Sequence, residues 1–166
     1  MLFRSQPSEI RFLAGHRNGR SIASSLGEGI VRPNRAHGRP GPKIREMATD
    51  WALVVLRKPI SVRPIALRAL PAADSTPTST PVVRVARAGY SEDRPGTLSL
   101  DPACQILRRD PGDRFLLTDC DTVKGDSGSP LLHGDGDAMS VVGVTSGTIK
   151  LKDGRKASVE IGRAHV

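Results

Sequence analysis

Nowhere along this chain does an apolar repeat of helical period persist for even three turns. Short apolar runs recur instead, each closed by Gly, Pro or an Asn-Gly pair, and that pattern builds strands. Residues 10–15 read as a strand, Arg17-Asn18-Gly19-Arg20 as a tight hairpin turn, and residues 21–25 as the returning strand. Residues 27–43 read as loop, with Pro33, Pro40 and Pro42 among several Gly and Arg. Trp51-Ala52-Leu53-Val54-Val55-Leu56 reads as a buried strand ended by Arg57-Lys58-Pro59. Further strands are expected over residues 82–88, 97–100, 104–108, 115–118, 130–133, 140–145 and 156–160. Aromatic residues are only 3% of the chain, so its core has to be built from Val, Leu, Ile and Ala. The fold class expected is all-β.

The stretch Leu70-Pro71-Ala72-Ala73-Asp74-Ser75-Thr76-Pro77-Thr78-Ser79-Thr80-Pro81 is the clearest linker. It divides the chain into unequal pieces, residues 1–62 and 82–160, joined through 63–81. The formal net charge of +8 raises the possibility of a nucleic-acid partner. Against it, the arginines are dispersed, and few aromatics (Phe3, Phe12, Trp51, Tyr90, Phe115) are available to stack on bases. No apolar run approaches the ~20 residues of a membrane span, and Met1-Leu2-Phe3-Arg4 turns polar too soon for a signal peptide.

Gly125-Asp126-Ser127-Gly128-Ser129-Pro130, running straight into Leu131-Leu132, is the segment with chemistry in it. A serine between a glycine turn and a strand start can expose its hydroxyl beside converging backbone N–H groups, here those of Gly125 and Ser127. That arrangement suits a nucleophile with its own oxyanion hole. Four residues such as Gly-Asp-Ser-Gly also make an ordinary turn; the longer run into an apolar strand is far more specific.

Residues 121–132 resemble the nucleophile segment of the trypsin-like, chymotrypsin-fold serine proteases, most closely the bacterial secreted branch. Asp50 and the apolar run after it resemble that family's triad-aspartate segment. Val142-Gly143-Val144-Thr145-Ser146-Gly147 resembles the strand that pairs with substrate backbone and walls the primary specificity pocket. The resemblance implies two β-barrels, the first incomplete over residues 1–62 and the second nearly complete over 82–160. It implies a serine endopeptidase with Ser127 as nucleophile, Asp50 as orienting acid, and Gly125 and Ser127 as oxyanion donors. Thr145, Ser146 and Gly147 become a docking edge for a polypeptide substrate. No metal or other cofactor, no nucleic acid and no membrane partner is implied, and a monomer is expected.

Several positions keep a plainer reading. Asp50 could simply cap a strand, and Asp126 could be a turn former; in the family, that aspartate receives a new chain-terminal amine after zymogen cleavage. Asp121 stands where trypsins place the acid of the specificity pocket, favouring Lys or Arg substrates. The glutamate-cleaving branch instead has Thr at the register of Thr122 and His at that of Thr145; the threonine is present and the histidine is not. Cys104 and Cys120 are expected to form a disulfide worth about 3 kcal/mol in the loop-entropy model, implying an exported parent, unless both are reduced.

The family's histidine block has no counterpart. His16 sits beside the hairpin turn, His37 lies in the Gly/Pro/Arg loop, and His133 and His165 follow the serine. In the resemblance residues 10–15 fall just after that block, so the chain is expected to begin downstream of its own base and to be inactive. A non-catalytic peptide-binding module is the alternative. At the other end, Ile161-Gly162-Arg163-Ala164-His165-Val166 is what a common short-read sequencing adapter encodes, and is set aside as an artefact.

Overall fold

The computed structural model describes residues 5–33, 49–70, 83–110 and 114–162. The linker residues 71–81, His37 and His165 therefore lie outside the described residues. No α-helix occurs among those described, in line with the all-β expectation.

The first sheet is antiparallel with order β1-β2-β3, where β1 is Arg11–Ala14, β2 Ala23–Val31 and β3 Leu53–Leu56. Asn18 and Gly19 both take positive φ, 49° and 80°, the pair of left-handed conformations a type I′ turn needs. The turn fixes the register from Arg11↔Leu26 to Ala14↔Ala23. β2 runs on to Val31, so residues 27–31 are strand where the Gly-rich sequence reads as loop. The β3 segment is also less buried than its apolar run implies, with Leu53 41% and Val55 48% exposed. An apolar run says that a strand can be covered on both faces; among the described residues only one face of this sheet is.

The second unit comprises β5 (Arg84–Gly89), β6 (Ser99–Arg109), β7 (Phe115–Thr118), β8 (Pro130–His133), β9 (Ser140–Lys150) and β10 (Lys156–Ile161). The antiparallel order is β10-β7-β6-β5-β8-β9, and β9 pairs back onto β10, closing a six-stranded barrel with no free edge within it. Short β4 (Ala66–Leu67) adds to β9 in parallel at Ser140 and Val141. The runs expected at 97–100 and 104–108 are one strand. Pro102 is tolerated because Val85 faces Cys104 and Arg87 faces Asp101, leaving two β6 residues opposite one on β5. That bulge spares the missing Pro102 N–H from a ladder position.

Leu70, Val85, Cys104, Leu116, Cys120, Leu131 and Val142 form the barrel core. The Cys104–Cys120 disulfide lies inside it, with Cα atoms 4.8 Å apart. Ile161 is buried at the end of β10, and Gly162 N–H donates to the Arg114 carbonyl at 3.1 Å, so the first two residues of the adapter-like tail are integrated in the barrel.

Candidate active site

Ser127 stands at the exposed tip of a turn that is fixed from three sides. Within the turn, Asp126 N–H donates to the Val123 carbonyl at 3.2 Å and Ser129 N–H to the Asp126 carbonyl at 2.9 Å. From β9, the Thr145 carbonyl accepts from Gly128 N–H at 2.8 Å, and Thr145 N–H donates to the Ser129 carbonyl at 2.9 Å. From the loop after β5, Glu92 N–H donates to the Lys124 carbonyl at 2.9 Å. Gly125 is required here on two counts: its φ is +98°, and a Cβ would lie 2.6 Å from Glu92 N. The N–H groups of Gly125 and Ser127 donate to no group among the described residues.

Beneath the turn sits an ion pair that sequence reasoning missed. Arg87 Nη1 lies 2.7 Å from Asp126 Oδ1, with the two side chains 5% and 0% exposed. The N–H groups of Arg87 are not aligned on Oδ1, so the contact is ionic rather than a well-formed hydrogen bond. The rest of the geometry is directional: Arg87 Nη2 donates to the Asp121 carbonyl at 2.7 Å, and Asp126 Oδ2 accepts Val123 N–H at 2.9 Å. Arg87 thereby ties β5 to both ends of the segment 121–126.

The two units meet at Ser146. Its backbone carbonyl accepts the Ser127 hydroxyl at 3.4 Å, and its own hydroxyl donates to Asp50 Oδ2 at 3.2 Å. Ser127, Ser146 and Asp50 are thus linked across a large separation in sequence. Neither described histidine joins them. The His16 ring faces Tyr90, with centroids 6.0 Å apart, and His133 Nδ1 meets the Arg84 carbonyl at 3.1 Å. An open concavity of about 570 Å³ is lined only by the hairpin residues Gly15, Arg17, Asn18, Arg20, Ser21 and Ile22, none of them in the site.

Asp121 is exposed, its N–H donating to Asp101 Oδ2 at 2.9 Å. Thr122 is buried and donates to Ser158 Oγ at 2.9 Å. Gly147 pairs with Val159 across β9 and β10. The acid that is buried nearby is Glu160, with no exposed surface. Desolvation raises its pKa above the usual carboxylate value, against the lowering effects of the Ser158, Thr145 and Thr118 hydroxyls and of Arg87.

Folding therefore favours the protonated Glu160, so this group's stabilising contribution is complete below pH 4.5 and is lost as pH rises through the folded-state pKa. Glu160→Gln cannot ionise and escapes that loss. Its melting temperature relative to the parent is expected to climb as pH rises above 4.5 and to level off beyond the raised folded-state pKa, each pH unit between the two being worth about 1.4 kcal/mol. A difference that stays flat with pH would contradict this.

A family model for the trypsin-like peptidase domain matches residues 9–144, which include Asp50, Ser127 and the turn around it. Among curated proteins, none matches the chain. With a closed six-stranded barrel, a second antiparallel sheet and the match across most of the sequence, the chain belongs to the trypsin-like peptidase domain family, whose fold is that of chymotrypsin.

Proposed function

We propose that the parent protein is a serine endopeptidase and that the chain carries half of its catalytic apparatus. The observation that carries this reading is the Ser127–Ser146–Asp50 linkage, because it joins the exposed hydroxyl to a carboxylate through one residue of β9. Ser127 Oγ attacks the scissile carbonyl and its proton passes to a base. The tetrahedral oxyanion is held by the N–H groups of Gly125 and Ser127, which have no competing acceptor. Collapse expels the amine, which takes up the proton, and leaves an acyl-enzyme for water to hydrolyse. Asp50, steadied by the Ser146 hydroxyl, is the group that orients the base. Thr145, Ser146 and Gly147 offer substrate an extended edge.

Among the described residues no histidine contacts either Ser127 or Asp50, which supports the reading that Ser127 lacks its base and that the chain is a poor hydrolase. The same observation favours the second reading, a peptide-binding module that holds polypeptide along Thr145–Gly147 without turnover. No described helix is long and apolar enough to cross a membrane, and the disulfide supports export of the parent.

A fluorophosphonate probe, read by intact mass and peptide mapping, tests this. Labelling of Ser127 is expected to be slow, and added imidazole is expected to speed it by up to about a hundredfold, the lower end of what a positioned general base supplies. Asp50→Ala should blunt that rescue. Rapid labelling without imidazole overturns the missing base. No acceleration by imidazole in folded protein leaves the binding module as the better reading.

A further inference from the structure

β9 outruns the barrel that it closes. β8 pairs with it only from Ser140 to Val144, and the Ser127 turn takes up the backbone of Thr145. From Gly147 to Lys150 the β9 backbone pairs with β10 alone among the described residues, so the opposite edge of this segment is an open row of N–H and C=O groups. β7 covers β10 only from Ser158 onward, so the hairpin tip at residues 150–156 projects past both neighbours. The Leu151 N–H, donating to the Arg155 carbonyl at 2.8 Å, and Gly154, at φ 86°, close that tip.

Four of the seven residues at the tip are basic, Lys150, Lys152, Arg155 and Lys156, and all four are exposed. The acid among them, Asp153, is taken by Arg155 at 2.8 Å. The three lysines make no ion pair among the described residues. Lys150 and Lys156 stand directly opposite each other across the ladder, where like charges repel. Charge on an exposed edge guards against unwanted strand pairing, but a Lys–Glu pair would guard it as well and attract besides. The lysine pair gives that attraction up, which is the mark of a surface kept for an anionic partner.

The open edge says which anion fits. It begins beside the serine, whose hydroxyl donates to the Ser146 carbonyl at 3.4 Å, and it leads away only toward Lys150, because β8 occupies the other direction. Alternating N–H and C=O groups complement a polypeptide backbone, and a nucleic acid has no matching row. We propose that the β9–β10 hairpin is an extended recognition arm. A polypeptide docked at Thr145–Gly147 continues along it as an added strand and sets Asp or Glu side chains against Lys150, Lys152 and Lys156. This rests on the peptide-docking edge common to both readings above. An added strand would run roughly 5 Å from β9 and roughly 10 Å from β10, spans that a lysine and a glutamate side chain cover together. The preferred acids therefore lie about four or more residues along the bound chain from the residue opposite Ser146.

Fluorescence anisotropy of the full chain with a labelled ten-residue peptide of alternating Thr and Glu, and with its Thr/Gln counterpart, tests this without requiring turnover. The glutamate peptide is expected to bind about tenfold more tightly, as three exposed pairs each worth a few-fold imply, and the gap should narrow as salt is raised. Lys150→Gln, Lys152→Gln and Lys156→Gln combined should abolish the gap. Arg11→Gln, Arg57→Gln and Lys58→Gln combined, which removes as much charge from exposed positions around the first sheet, should keep it within about twofold. Lys156→Glu alone should narrow the gap yet leave the melting temperature unchanged or higher, since it sets opposite charges across the ladder. Equal binding of the two peptides, or an equal loss in the first-sheet variant, overturns the proposal. So does a DNA duplex that binds through the same lysines more tightly than the glutamate peptide. Imidazole-assisted labelling of Ser127 reads the peptidase assignment separately, so either can fail alone.

Discussion

Arg87→Met is expected to destabilise the folded chain by about 3–5 kcal/mol in urea unfolding, the range for breaking a buried pair by removing one partner. The reason is Asp126, which has no exposed surface and would be left buried without the guanidinium 2.7 Å away. Removing both charges is a different matter. Arg87→Met combined with Asp126→Leu should recover most of the loss, because no uncompensated ion is left in the barrel. It should not recover the Ser127 turn, since Val123 N–H and the Asp121 carbonyl lose their partners together. Imidazole-assisted labelling of Ser127 should therefore remain suppressed in the double variant. A single-variant loss below about 1 kcal/mol would place the pair among weak surface interactions and refute its assigned role.

Replacing both Cys104 and Cys120 with Ala is expected to cost about 3 kcal/mol, as the loop-entropy model gives for residues separated by 16 in sequence. Here the cross-link also has a packing role. Both cysteines are nearly fully buried among Val85, Leu116 and Leu131, so the loss of the sulfurs adds a cavity contribution. Dithiothreitol on the parent chain should reproduce the entropic part alone. An unchanged urea midpoint under reducing conditions would show that the barrel closes without the bridge.

The barrel strands were legible because each runs between unmistakable turn residues, and the Asn18-Gly19 turn because only such residues take two positive φ values in succession. The Ser127 segment was legible because its turn and the strand after it impose their residue types locally. Arg87 also left a trace that reading by composition passes over. It lies two residues from Val85, so in a strand whose Val85 faces the core Arg87 must face it too. Glu160 left none. Its alternation with Val159 and Ile161 points outward, and only closure of the barrel, which buries both faces of β10, turns Ser158 and Glu160 into interior groups. The Ser146 bridge from Ser127 to Asp50 is equally invisible, being a contact between distant segments.

The guanidinium of Arg87 has one more consequence. Asp126 finds its counter-ion on β5, within the sheet that carries the serine. The Ser127 turn is therefore braced by a pair internal to the barrel, which ties its geometry to the packing of β5 against β8.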